Sequence, residues 1–545
     1  MTDVAEPSPV DAFGSPRDAV VDARSRRARN TVFFALGTGL GRIAGLVREV
    51  VAAKYFGVTG PMSAFTIGFQ IPNLLRALFA DSALQGAFVP VFAELLDRGE
   101  RREAFKVASS LLFLICLIVG GLTALLILLA PVVVPLLAPG FTTDVFLREL
   151  TVNLTRVMMP TVLLLALSGL VAGMLNSFDQ FTVPAVAPAV WNLVIVIILI
   201  VAVPFFPPDR EIYAYAVGVL SGTIAQLAVQ LPWLRRRGGR ITLEIDWRSP
   251  AVRRVGKLML PVTLTLGLFH FSLLINSLIG TLVQEEAPAA IDRAFRVIVL
   301  PQGIFSVAIM TVLYPTLSRL AARRDFGQLR RSVAAGAREI CLFTIPSAVF
   351  LSVLALPITR LLYERGAFDA EATRLVGGAL AIWAVALPFQ GVATLFSQTF
   401  FTLRRAWTST GIAGTYVVAN AGVALALHGP LGVDGIVLAT GVANVAMTAC
   451  QAVILRRELG GLEGWSILSS GGRMAIAASA LAAVSYSTWY ALDHIVGRSL
   501  GGQIVAIAGS MAAGGLVYAL GLLLLGEPES RRIRETLART LRPQR

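Results

Sequence analysis

The sequence predicts an all-α polytopic membrane protein of about fourteen transmembrane helices, and three observations carry that prediction. Of its 545 residues 56% are hydrophobic and only 15% charged, with a mean hydropathy of +0.73, which is too apolar for a water-soluble fold. Apolar stretches recur at close to the roughly 20 residues that a helix needs to cross a bilayer. Basic residues gather in every second loop between them. A β-barrel is excluded, because runs such as LLFLICLIVGGLTALLILLAPVVV do not alternate polar and apolar residues. The net charge of +14 is that of basic loops beside anionic lipid, not of a nucleic-acid surface. Cys116, Cys341 and Cys450 lie far apart in apolar segments without CxxC spacing and are expected to be buried packing residues.

Taken in order, residues 1–30 are polar and lack an apolar core, so they are expected to form a disordered cytoplasmic arm. Spans follow at 31–57, 63–95, 107–137, 146–175, 182–205, 212–234, 255–283, 287–318, 332–357, 371–403, 406–428, 432–455, 469–492 and 502–526. They divide into a six-helix lobe over 31–236, a basic linker over 237–254, a second six-helix lobe over 255–457, two further helices over 458–526 and a basic tail over 527–545. Arg24–Arg29, Arg98–Lys106, Arg235–Lys257, Arg319–Arg331, Arg404–Arg405, Arg456–Arg457 and the tail bound one set of loops. The opposite loops hold only Arg210, Arg360, Arg365 and Arg498. One missed helix would invert this alternation downstream, so it supports both the count and cytoplasmic termini.

A faint repeat relates VPVFAELLDRGERREAFKVASS at 89–110 to YPTLSRLAARRDFGQLRRSVAA at 314–335. The first follows the second span and the other follows the eighth, so direction across the bilayer is preserved and the lobes are expected to be parallel repeats with the substrate site between them.

Several spans carry charges that a bilayer accepts only beside a protein interior or a wet cavity, because an ionised group near its centre costs at least about 2.5–3.5 kcal/mol. The first span holds Arg42, Arg48 and Glu49, together with Gly37, Gly41 and Gly45 at the spacing that lets another helix approach closely. Asn73 and Arg76 share a face of the second span, and Asp292, Arg293 and Arg296 recur in the eighth, where Asp292 and Arg296 are placed to pair. Arg156 adds a charge in the fourth. A helix-end snorkeller or a structural ion pair explains Arg156 and Arg293 as well as a cavity does, but explains the deeper Arg76 and Arg296 poorly. Arginine stays charged, and its planar fork binds phosphate oxygens at two points, so the excess of arginine predicts an anionic, lipid-linked phosphate or diphosphate. His270, alone on an apolar helix, is expected to be a packing residue.

The strings GRIAGLVREVVAAKYFG, IPNLLRALFADSALQGAFVPVFAE, LTRVMMPTVLLLALSGLVAGMLNSFDQFTVPAVAPAVWN and LPQGIFSVAIMTVLYPTLS resemble the signature stretches of the MurJ/MviN family of bacterial lipid II flippases, from about residue 30 to 405. The resemblance implies two six-helix lobes in a V, two C-terminal helices forming a groove for a polyprenyl tail, and alternating access in the bacterial plasma membrane. It implies lipid II as the substrate, bound by Arg42, Arg48, Asn73, Arg76 and Arg296; the charges Glu49, Asp292 and Arg293 in the same spans are expected to support them. Membrane lipids are the surroundings, and cell-wall synthesis and division proteins are the candidate protein partners. A flippase for another polyprenyl-diphosphate saccharide is the alternative. An enzyme is not expected, since the exofacial loops are short and carry few acids beyond Glu285, Glu286, Glu364, Asp369 and Glu371.

The chain departs from the family pattern at Ser63, where an Asp is usual, at Glu49 for Asp, and at Asp81-Ser82-Ala83 for Glu-Gly-Ala. Some members bind sodium in the second lobe. Here Asn276, Asn420, Asn444 and Thr448 stand there without a carboxylate, so neither a sodium site nor any other metal or cofactor is expected. The membrane potential is the expected driving force: exporting a charge near −2 against about 2.3 kcal/mol per charge per 100 mV releases up to roughly 4–5 kcal/mol.

Overall fold

The computed structural model describes residues 16–79, 82–235, 246 and 248–527. Asp81, most of the expected linker and the tail beyond 527 lie outside the described residues. Helices account for nearly all of the rest: α1 Pro16–Phe56, α2 Gly60–Phe79, α3 Ser82–Asp97, α4 Arg101–Leu137, α5 Val145–Met158, α6 Pro160–Ser177, α7 Thr182–Ala202, α8 Ile212–Arg235, α9 Pro250–Thr281, α10 Ala287–Pro301, α11 Val307–Ala322, α12 Phe326–Val353, α13 Ala355–Tyr363, α14 Ala370–Ala384, α15 Leu387–Thr402, α16 Ala406–Glu458, α17 Gly464–Val496 and α18 Leu500–Leu524.

α1 begins inside the segment expected to be a disordered arm, which corrects that expectation from residue 16 onward. Pro16 at the first helical position and the Ala- and Arg-rich stretch after it suit a helix start. Residues 1–15 lie outside the described residues.

Every expected span contains helix. Among the described residues, however, length and mean hydropathy alone single out nine helices able to cross a membrane, or ten when the bent pair Ala370–Ala384 and Leu387–Thr402 is one span. Part of the difference from fourteen has a physical cause. α1 carries Arg42, Arg48, Glu49 and Lys54 within its apolar part, whereas α2 and α3 stand on either side of residues 80–81, which lie outside the described residues. α16 covers two expected spans. The Thr440 hydroxyl donates to Asn420 Oδ1 at 3.1 Å across 20 residues of sequence, which in a straight helix would span about 30 Å. The chain therefore folds back at Gly432, with φ 58° and ψ −134°.

The repeat is visible in the turns. Gly99 and Arg324 both take positive φ between consecutive helices, as do Asp179 and Arg404. Asp144 and Asp369 both cap a helix by accepting from the backbone N–H three residues on. One sequence offset relates all three pairs. The left-handed φ at Gly99 favours glycine; at Asp179, Arg324 and Arg404 other residues tolerate it at helix ends.

Packing defines two faces, a basic face with the turns at 98–100, 178–181 and 323–325, and an opposite face with those at 57–59, 282–286 and 364–369. Toward the basic face the halves keep separate cores, one around Phe88, Phe92, Phe105 and Met174 and another around Leu317, Leu329, Phe396 and Phe400. Toward the opposite face they share one, in which Phe56, Phe65, Leu147 and Tyr215 pack with Ile291, Tyr363, Phe368 and Trp383. α9 joins the halves: Val255 belongs to the first core, while Asn276 reaches Thr440. α17 and α18 pack on α12 through Met474, Leu481 and Tyr518. Leu117, Leu128, Leu136, Ile200, Val312 and Leu516 remain exposed, a surface suited to lipid, and Trp233, Trp407 and Trp465 stand exposed near basic-face helix ends as interfacial anchors. Cys450 is exposed and Cys116 and Cys341 are half-buried, so the expectation of three buried cysteines is corrected.

Candidate functional site: a cationic cavity between the halves

Because the halves share a core toward only one face, a cavity of about 650 Å³ remains between them. Its walls come from α1, α2, α6, α7 and α8 on one side and from α9, α10 and Tyr363 at the end of α13 on the other. The glycines of α1 set its edge. A Cβ at Gly37 would meet Ala185 at 3.0 Å, and Gly41 and Gly45 stand against Pro188 and Asn192 of α7. Close α1–α7 packing leaves Arg42, Arg48 and Glu49 lining the cavity. α10 ends at Pro301 and passes through a π-helical turn, Gln302–Ser306, into α11. Gly303 in that turn lies beside the Arg42 guanidinium, with its Cβ position 3.6 Å from Nη2.

Arg42, Arg48, Asn73, Arg76 and Arg296 all line this one cavity, as do Glu49 and Asp292. Four guanidinium groups thus face two carboxylates. Glu49, 5% exposed, is the hub. Its carboxylate pairs with Arg48 and Arg293 and accepts from Arg296 at 2.9 Å, while Arg296 Nε also donates to Asp292 at 2.7 Å. Burying a carboxylate is tolerable only with such partners. Arg48 further stacks on Trp191 at 4.8 Å from the ring centroid, and its buried Nε has no hydrogen-bond partner. Arg76 Nε donates to Asn73 Oδ1 at 3.0 Å. Arg42 is exposed and forms no ion pair among the described residues.

Arg293 is 0% exposed and does not line the cavity. It binds the Glu49 carboxylate and backbone oxygen and stands 5.7 Å from the Tyr363 ring, tying α10 to α1. Arg156 points away, its Nε donating to the Ile127 carbonyl at 3.2 Å. His270 lines the cavity rather than a packed core. Sequence reasoning passed over Gln70, Ser168, Asn176, Gln226 and Gln230, which also line it; their signal was a neutral polar residue recurring at helical spacing in apolar spans.

Beyond the guanidiniums the cavity is closed at the opposite face by contacts between the halves. The Ala367 N–H donates to the Lys54 carbonyl at 2.9 Å, between Gly57 and Gly366, both at positive φ. The Gly140 N–H donates to Thr281 Oγ1 at 3.1 Å. Ser63 Oγ accepts the Ala289 N–H at 3.2 Å, capping the first turn of α10 from the other half. In the second half, Asn276 donates to Thr440 at 2.8 Å and Asn420 to Asn276 at 2.7 Å and to Ser272 at 3.1 Å, so these neutral side chains satisfy one another. Thr448 lies apart, bonded to the Phe389 and Asn444 carbonyls.

Two repeated halves, all-helical among the described residues and closed at one face around a charged cavity, have the architecture of solved membrane transporters. An inward-facing multidrug resistance MATE transporter of the MOP superfamily shares the fold, superposing with a TM-score of 0.64 over 78% of this chain and 96% of its own, at 14% identity. The structure titled lipid II flippase MurJ, inward closed conformation, superposes with a TM-score of 0.74 over 91% and 98%, at 23% identity. In sequence, residues 52–501 match the family described as lipid II flippase MurJ. A probable lipid II flippase MurJ of Rhizobium meliloti (strain 1021) is 32% identical over 501 residues, covering 88% of this chain and 91% of that one. The lipid II flippase MurJ of Burkholderia cenocepacia is 32% identical over 64% and 68%. The chain belongs to the MurJ lipid II flippase family. The family match begins after Arg42, Arg48 and Glu49 and runs past residue 405, where the resemblance read from the sequence ends.

Proposed function

We propose that this protein flips lipid II from the inner to the outer face of the bacterial plasma membrane by alternating access, with the diphosphate held by Arg42, Arg48, Asn73, Arg76 and Arg296. The observation that carries the reading is the set of guanidiniums gathered in a cavity closed at one face. Guanidinium forks match phosphate oxygens, and charge-assisted bonds in a dry site are the strong ones. Arg42 makes first contact. A diphosphate then competes with Glu49 and Asp292 for Arg48 and Arg296, so binding loosens the pairs that tie α1 to α10.

The basic face is cytoplasmic in this reading, as the distribution of Arg and Lys favours, with both termini inside. The moving bodies are the lobes 31–236 and 255–457, and the tail of the lipid lies against the helices of 458–526. The membrane potential supplies the bias. Sodium plays no part at Asn276, Asn420 and Thr440, whose hydrogen bonds are taken up by each other. No bond of the substrate is made or broken, so the protein is a transporter and not an enzyme.

Labelled lipid II in liposomes tests this. The wild type is expected to flip it, and Arg42→Ala with Arg76→Ala to slow flipping roughly ten- to hundredfold, from loss of charge-assisted bonds worth about 1.5–3 kcal/mol, with thermal unfolding unchanged. A wild type that does not flip lipid II, or a double variant at the wild-type rate, would overturn the reading.

A further inference from the structure

The wall of the cavity formed by α2, α6 and α8 differs in kind from the guanidinium cluster. Gln70, Ser168, Asn176, Gln226 and Gln230 line it, neutral hydrogen-bonding groups with no carboxylate among them. Gln226 and Gln230 lie one turn apart on α8, and both donate to Ser168 Oγ of α6, at 3.3 and 2.6 Å. Their amide planes are thereby fixed. Gln230 is 1% exposed, and its Nε2 is used twice, by Ser168 and by the Gln226 carbonyl. Its Oε1 has no partner, and neither has Oε1 of Gln70 or Oδ1 of Asn176. A buried acceptor without a donor is costly, and three around one cavity mark a place where a donor-rich ligand belongs.

Building on the flippase reading, we infer that this wall is a saccharide subsite: the amide oxygens of Gln70, Asn176 and Gln230 accept hydroxyl and acetamido N–H donors from the sugar next to the diphosphate. The division of labour follows from charge. A carboxylate would bind sugar hydroxyls as well but would also pair with the guanidiniums, whereas an amide reads hydroxyls and leaves Arg42 and Arg76 to the phosphates. A site built to bond a donor rejects a ligand lacking it, because its own groups then stay unpaired. The wall therefore selects the saccharide-bearing lipid over the bare polyprenyl diphosphate.

The test compares two probes on the purified full chain in detergent: lipid II, and a polyprenyl diphosphate without sugar. The wild type is expected to bind lipid II the more tightly. Gln226→Leu with Gln230→Leu, and separately Asn176→Leu, are expected to weaken lipid II binding about tenfold while binding of the bare diphosphate stays within twofold. Asn176 is half-buried at the cavity, so its variant keeps the test open should the double variant not fold. Equal weakening of both probes, or unchanged lipid II binding in the folded variants, overturns the subsite and leaves the flippase reading standing. A wild type that binds neither probe overturns both.

Discussion

Alanine at both Gly57 and Gly366 is expected to open the closed face. These glycines flank the bond from the Ala367 N–H to the Lys54 carbonyl, 2.9 Å long, which joins the halves. A Cβ at Gly57 would stand 2.3 Å from the Ala367 oxygen, and one at Gly366 2.3 Å from the Lys54 oxygen, where ordinary contact begins at 3.4 Å. The segments must part by about 1 Å, which sacrifices the bond, about 0.5–1.5 kcal/mol, and adds overpacking of about 1–3 kcal/mol. At about 1.4 kcal/mol per tenfold, the closed arrangement loses on the order of a hundredfold. The assay is labelling of Leu165→Cys, which lines the cavity, by an impermeant maleimide in right-side-out vesicles, with Cys116, Cys341 and Cys450 replaced. The double variant should label at least tenfold faster than its parent. Gly99→Ala is the control, since Gly99 has φ 76° but open space around its Cβ position. Labelling of the double variant no faster than this control would refute the seal.

Three further outcomes follow from the same contacts. Glu49→Gln strips Arg48, Arg293 and Arg296 of their shared carboxylate, and should lower stability by about 3–5 kcal/mol, read as an earlier thermal unfolding; an unchanged transition would contradict the hub. Ser63→Ala removes the cap on α10 at about 1 kcal/mol and should raise Leu165→Cys labelling severalfold, whereas Ser63→Asp, which restores an acceptor and adds charge at a helix N-terminus, should not; equal labelling in all three would dismiss the cap. Flipping in liposomes should accelerate when an inside-negative potential is imposed, since a charge near −2 gains up to roughly 4–5 kcal/mol per 100 mV, and rates indifferent to potential would remove that driving force.

The cavity was legible because charge in an apolar helix has few explanations. Arg42, Arg48 and Arg76 come from the first two spans and Arg296 from the distant eighth, yet all line one space. What composition could not tell is which way each arginine turns. Arg156 and Arg293 carry the same charge in equally apolar spans, but Arg156 reaches the Ile127 carbonyl and Arg293 is walled in behind Glu49. Those contacts cross 29 residues of sequence for Arg156 and 244 for Arg293, which no helical spacing encodes. Gln226 and Gln230 were hidden for the opposite reason: a neutral amide in a span costs little and attracts no notice until its oxygen is found without a donor. Gly57 carried a signal only as a glycine at a span end and Gly366 only as one in a loop between spans; their meeting across the halves is a property of the tertiary fold. In α16 the two spans expected at 406–428 and 432–455 meet at Gly432, whose non-helical backbone folds the chain back without a loop.

The most direct measurement is complementation of a flippase-depleted bacterium by this chain, alongside Arg42→Ala, Arg76→Ala and Arg296→Ala, each verified for membrane expression. Rescue by the wild type and failure of the three expressed variants is the predicted result. Failure of the well-expressed wild type would contradict lipid II export, and rescue by all three variants would contradict the cationic cavity as the site that carries it.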